Sequence, residues 1–169
     1  MAQRSNHYEA AFEKYLRQTR IPHVAVDERR RSLLQNISLK SLDYIVYSSR
    51  PRNLLVDVKG RRFPSGTESS PHKWENWATE DDLEGLLQWQ QVFGDGFRAV
   101  LVFAYHVIDE RFLDELDAPF EYQERTYSFY GVWADDYWAK MRPRSTSWNT
   151  VSLPSLDFRK LCSPIDEFL

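Results

Sequence analysis

Cysteine is almost missing from this chain: Cys162 is the only one in 169 residues. A single thiol excludes an internal disulfide and fits a reducing, cytoplasmic setting. The four histidines, His7, His23, His72 and His106, stand at no spacing, among themselves or with Cys162, that a zinc site uses. No zinc is expected. Long apolar runs are absent too, so nothing approaches the ~20 residues of a membrane-spanning helix. The opening residues are polar and charged, unlike a signal peptide. The expectation is a soluble protein without membrane contact. No repeat or low-complexity tract appears, and no motif calls for an organic cofactor.

What is present is a core and a skewed charge. Hydrophobic residues make up 42% and aromatics 15% of the chain, enough for one domain spanning residues 1–169. The net charge of −3 hides an asymmetry: residues 1–62 carry 13 Lys/Arg against 6 Asp/Glu, whereas residues 63–169 carry 9 against 19. A basic half is a candidate surface for a polyanion.

That basic half also holds the chain's most telling residues, Asp43 and the triplet Asp57-Val58-Lys59. Leu42 to Tyr47 and Asn53 to Val58 read as apolar strands, each broken by one carboxylate and separated by a turn rich in Ser, Pro, Arg and Asn. They predict a hairpin. Alternation puts Leu55, Asp57 and Lys59 on one face and Leu54, Val56 and Val58 on the other. A carboxylate in so apolar a strand carries a desolvation cost unless a counter-charge is near. Two carboxylates on neighbouring strands suit Mg²⁺, which prefers oxygen ligands and takes one or two carboxylates plus substrate phosphate. Lys59 could then hold the attacking water or neutralise charge developing on a phosphate. A solvated Asp57–Lys59 pair, or an Asp43–Lys59 salt bridge, would account for the same residues without metal.

The surroundings extend the pattern. Tyr8, Phe12, Tyr15 and Leu16 form an apolar stripe at helical spacing, with Glu9 at its border and Glu13 on the solvent side. A short strand from His23 to Asp27 precedes the hairpin. A second helix follows, with Thr79 as N-cap, Asp82 closing a capping box, Leu83, Leu86 and Leu87 inward, and Gly94 as the stop. Gln90 lies on its inward stripe. Phe97 to Tyr105 reads as a central buried strand. The element order is αβββαβ.

That order, the first-helix glutamate, Asp43 and Asp57-Val58-Lys59 resemble the PD-(D/E)XK nuclease superfamily, in particular archaeal Holliday-junction resolvases and restriction-type endonucleases, over roughly residues 5–105. The resemblance implies a restriction endonuclease-like α/β fold, a mixed sheet flanked by helices. It implies that Asp43, Asp57 and the carbonyl of Val58 bind Mg²⁺, for which Mn²⁺ can substitute. Lys59 would assist the nucleophilic water, Glu9 would support the metal site, and Gln90 would be a further catalytic candidate. Leu42 stands where the superfamily often has proline before the first acid. The opening Asn6-His7-Tyr8-Glu9-Ala10-Ala11-Phe12-Glu13 also resembles the signature of a bacterial family, HYExAFE, which brings no activity with it.

Arg30, Arg50, Arg52, Arg61 and Arg62 are the candidate DNA contacts, grouped on loops around the site as phosphate tracking requires; solubility alone would also explain loop arginines. Residues 60–78 read as a long irregular loop, whose Trp74 and Trp77 either stack on bases or pin it to the core. Residues 106–169 read as an added α+β extension: a helix near Arg111–Leu116, a strand at Thr126–Trp133, a helix at Asp135–Lys140, an extended Ser147–Val151 and a last turn at Ser155–Leu161. Its aromatics suit core packing or a homodimer surface better than bases. The expected function is metal-dependent hydrolysis of phosphodiester bonds in DNA, branched DNA included. The alternative is a catalytically silent nuclease-like fold serving as a binding or assembly module.

Overall fold

The computed structural model describes residues 6–27, 40 and 42–169. Arg30 falls outside them. Helix α1 (His7–Gln18) starts where the Asn6 side chain accepts from the Tyr8 N–H at 3.0 Å, and it buries the stripe Ala11, Phe12, Tyr15 and Leu16. Strands β1 (His23–Ala25), β2 (Tyr44–Val46) and β3 (Asn53–Phe63) follow, each antiparallel to the one before. Next come a small hairpin of β4 (Ser65–Thr67) and β5 (Ser70–His72), a two-residue strand β6 (Ala78–Thr79), helix α2 (Glu80–Phe93) and β7 (Phe97–Val107).

The centre of the molecule is the parallel pair β3 and β7, in unbroken register from Asn53↔Phe97 to Phe63↔Val107. A parallel pair needs a crossover, and α2 supplies it. Ala99 to Tyr105 are all fully buried, as the unbroken apolar run predicted. The expected irregular segment 60–78 is corrected in part: residues 60–63 continue β3, and 65–72 form the β4–β5 hairpin. Arginines at 61 and 62 disguised the strand, yet alternation persists through them, with Arg61 and Phe63 buried and Arg62 exposed. Trp74 pins this segment, its ring 5.0 Å from that of Phe63 and 5.1 Å from that of Tyr130.

Residues 106–169 do more than extend the core. After a 3₁₀ turn (Glu110–Glu115) and β8 (Phe120–Tyr122), strand β9 (Arg125–Trp133) pairs antiparallel along β7 from Val100↔Trp133 to His106↔Tyr127. Helix α3 (Ala134–Lys140), strands β10 (Arg142–Ser145) and β11 (Thr150–Ser152), helix α4 (Ser155–Leu161), strand β12 (Ser163–Pro164) and a closing 3₁₀ turn complete the chain. The main sheet runs β1-β2-β3-β7-β9-β12, with β8 on β9, and β10-β11-β6 form a second, three-stranded sheet. One face of the main sheet packs on α1 through Phe12, Leu16, Val56, Val102 and Phe129. The other packs on α2, α3 and α4 through Leu55, Leu83, Leu101, Tyr137 and Phe158. No helix among the described residues is long and apolar enough to cross a membrane.

The seam between α1 and β3 is close at Gly60, where a Cβ would run into the ring of Tyr8. Gly60→Ala should therefore cost about 1–3 kcal/mol, as overpacking does, and lower the melting temperature by roughly 3–10 °C. In a Tyr8→Ala background the same substitution should cost far less, a difference that thermal denaturation of the four proteins measures.

Candidate active site

The β2–β3 ladder ends at Tyr44↔Val56, so the next N–H along β3, that of Val58, has no strand partner on that side. Asp43, the residue just before β2, fills the gap: its N–H donates to Val56 O at 2.8 Å and its Oδ2 accepts from the Val58 N–H at 2.7 Å. This fork turns the Asp43 carboxylate onto the α2 face of the sheet, where it neighbours the Asp57 carboxylate. Both are buried, at 6% and 8% exposure. Lys59, two residues on and on the same face, places Nζ 3.0 Å from Asp57 Oδ1 and 2.8 Å from Asp82 Oδ2. Asp82 in turn holds Lys40 at 2.7 Å. Charges thus alternate from Asp57 through Lys59 and Asp82 to Lys40.

These groups line one open cleft of about 510 Å³. Tyr8 and Glu9 of α1 form one wall, and Arg61 and Trp77 another. Of the expected site residues, Glu9, Asp43, Asp57, Val58, Lys59 and Arg61 come together here. Gln90 does not. Its Oε1 accepts from the Ala99 N–H at 2.7 Å, and Ala99 pairs with Leu55 near the other end of β3; the inward stripe of α2 carries it down the sheet, away from the carboxylates. Arg50 and Arg52 sit on the β2–β3 turn at that same far end, where Arg50 Nε donates to Leu169 O at 3.2 Å. Arg62 points to the opposite face from Lys59 and lines a separate hollow with Ile108 and Arg111. Arg50, Arg52, Arg61 and Arg62 are therefore scattered, because strand alternation and a turn at the wrong end divide them.

Asp82 is the residue that sequence reasoning undervalued. As expected, the Thr79 hydroxyl caps α2 by accepting from the Asp82 N–H at 3.2 Å. Its carboxylate, though, serves Lys59 and Lys40. The run Glu80-Asp81-Asp82, more acid than one cap requires, was the available signal.

Electrostatics separate the roles. Burial first, then the neighbouring Asp57 and Glu9 charges, push Asp43 up to about 8. Asp57 is raised as well, chiefly by burial, against the pull of Lys59. Burial alone would lower Lys59, but Asp57 and Asp82 outweigh it and hold it above the ordinary lysine range. The two carboxylates favour its ammonium form. Asp82, despite burial, is held down at about 2 by Lys59 and Lys40. Two crowded carboxylates that resist ionising together are a donor set that a hard, oxygen-seeking cation would relieve. Among the described residues no three His, Cys, Asp or Glu side chains gather into a group that could enclose a metal ion.

Compared with solved structures, the chain is similar to the 1.6 Å structure of Hjc from Archaeoglobus fulgidus, a Holliday junction resolvase from an archaeal hyperthermophile. The TM-score is 0.52 at 13% identity, with 96% of this chain and 97% of that one covered. The fold is restriction endonuclease-like. The likeness reaches past residue 105 to the C-terminal strands. No family model and no curated protein matches the chain, which leaves the HYExAFE resemblance without support.

Asp43 yields a stability prediction. Its folded value of about 8 lies above the ordinary 3.8, so its share of stability is present in acid and lost progressively as the pH rises from about 4 to about 8. Asp43→Asn, which can still accept from Val58, should raise the metal-free melting temperature at pH 8 by roughly 3–6 °C, equivalent to about 1–2 kcal/mol. The gain should vanish near pH 4. Asp82 has the opposite sign: its stabilisation holds above 3.8 and disappears as the pH falls through about 2.

Proposed function

We propose that this chain is a Mg²⁺-dependent nuclease that hydrolyses phosphodiester bonds in DNA. The observation that carries the reading is the buried Asp43–Asp57 pair beside an ammonium clamped between Asp57 and Asp82, in a cleft open to a large substrate. Fold likeness to a resolvase supports it. Asp43, Asp57 and the Val58 carbonyl would hold the metal, which when bound polarises a phosphoryl oxygen and makes water a better nucleophile at neutral pH.

The chain's own residues do the rest. Lys59 presents a fixed positive charge where the phosphoryl oxygens gain charge in the transition state, and its position, already set by two carboxylates, needs no rearrangement. In this reading Lys59 acts as a charge stabiliser. Glu9 raises the negative potential at Asp43, drawing cations into the cleft. Asp82 positions Lys59. Resolving a branched substrate takes two cuts and so two sites, which a homodimer in the cytoplasm would supply.

One observation favours the silent module: Lys59 already neutralises Asp57 from within. Metal titration separates the readings, since a cation bound only by the folded state raises its melting temperature. The nuclease should be stabilised by Mn²⁺ or Mg²⁺ and cleave DNA only with one of them. Asp57→Asn and Lys59→Met should each reduce turnover by about 100-fold or more, on the scale of losing one transition-state stabiliser. Cleavage surviving both substitutions in well-folded protein would rule the assignment out. Asp82→Asn should lower turnover by about 10-fold, the smaller loss expected of a residue that only positions Lys59. It should also weaken metal binding in calorimetry, because Lys59 then leans on Asp57 alone.

A further inference from the structure

Residues 63–169 are acidic on balance, but the β10–β11 hairpin departs from that average. Register between β10 and β11 shifts between Pro143 and Ser145, leaving Arg144 as the unpaired residue of a bulge. Bulges re-aim a side chain, and they recur beside active sites. Here the Arg144 guanidinium comes to 5.4 Å from the centre of the Trp77 ring, which also carries Arg61 at 3.7 Å. Two like charges share one indole at the wall of the catalytic cleft.

Among the described residues neither guanidinium forms an ion pair; Glu75 acts on Arg61 only as a more distant charge. Arg61 donates to the carbonyls of Gly60 and Trp77, while its buried Nε has no partner. A cation pair gathered at one ring, one member of it the exposed Arg144, is a place for an anion. Because Trp77 already carries both guanidiniums, its ring serves better to orient cations than to receive a base.

The tip of the same hairpin has a second feature. Trp148 is 78% exposed, the most open large apolar side chain among the described residues. Its position is anchored: Asn149 O accepts from the Glu80 N–H at 3.0 Å, Asn149 Nδ2 donates to Asp81 Oδ1 at 3.3 Å, and Thr150 pairs with Thr79. Those contacts seat the tip on the first turn of α2, the turn whose Asp82 holds Lys59. An indole held in water beside the first turn of α2 is suited to stacking on a base.

We propose that the β10–β11 hairpin is a substrate-reading arm of the cleft, with Arg144 and Arg61 taking a backbone phosphate beside the scissile one and Trp148 stacking on an unpaired or terminal base. The proposal rests on the nuclease reading. Its ligand is a nucleic-acid strand that leaves the cleft over β6 and crosses the hairpin.

Fluorescence anisotropy in EDTA, where no turnover occurs, tests it with a fluorescein-labelled four-way DNA junction, the linear duplex of the same arms and a single strand. Arg144→Gln should weaken binding about equally on all three probes and reduce the slope of log affinity against log salt by about 1, as loss of one phosphate contact does. Trp148→Ala should weaken binding by about 10-fold on the junction and single strand, with the salt slope unchanged and Trp148→Phe restoring much of the loss. Both side chains are exposed, so neither change should move the melting temperature. If both variants bind like the parent while Asp57→Asn still abolishes cleavage, the arm is disproved and the nuclease reading stands. If the parent neither binds any probe nor cleaves with Mg²⁺, both fall together.

Discussion

The arrangement turns on a single event in the backbone: β2 stops pairing at Tyr44 while β3 continues to Phe63. The N–H of Val58 would otherwise lack a partner on that side, and the Asp43 carboxylate takes it. An acid recruited to mend a ladder is thereby fixed against a second acid, Asp57, in a nearly dry environment. Repulsion and desolvation push both upward, and Lys59 partly relieves them. The strain concentrated here is the kind that functional sites keep and that a cation or substrate can relieve.

Support for this fork comes from elements distant in sequence. β7 and β9 hold β3 at the middle of the sheet, so the triplet cannot shift register without turning Asp57 and Lys59 into the apolar layer under α1. α2, the crossover that the parallel pair requires, begins beside the site and brings Asp82 to Lys59. α1 packs so close on β3 that only glycine fits at position 60, and the same contact delivers Glu9 to the cleft wall. Fold and site share their constraints.

Much of this was legible in the residues. The α1 stripe, the capped start and glycine stop of α2 and the buried run of β7 follow from periods and caps, which are local. So does the common face of Leu55, Asp57 and Lys59, because alternation in a strand does not depend on what packs against it. The less legible parts have equally physical reasons. Gln90 had the right stripe but the wrong end of the helix, and a stripe carries no information about height along the sheet. Arg61 and Arg62 masked a strand because a buried guanidinium stacked on Trp77 looks, in one dimension, like a loop charge. Charge averaged over residues 63–169 missed Arg144, since a bulge acts on one residue.

By itself the sequence determined the element order αβββαβ, the two inner faces of the sheet, the absence of an internal disulfide and the pairing of an acid with a lysine on one strand face. These depend on near-neighbour chemistry and on the two periods of the polypeptide. Only the tertiary structure decided that Asp82 rather than Asp43 is the second anchor of Lys59, that the arginines disperse to three sides, and that β9 completes the sheet. Those outcomes depend on distances between residues far apart in the chain, set by how a twisted sheet and its helices close on a common core.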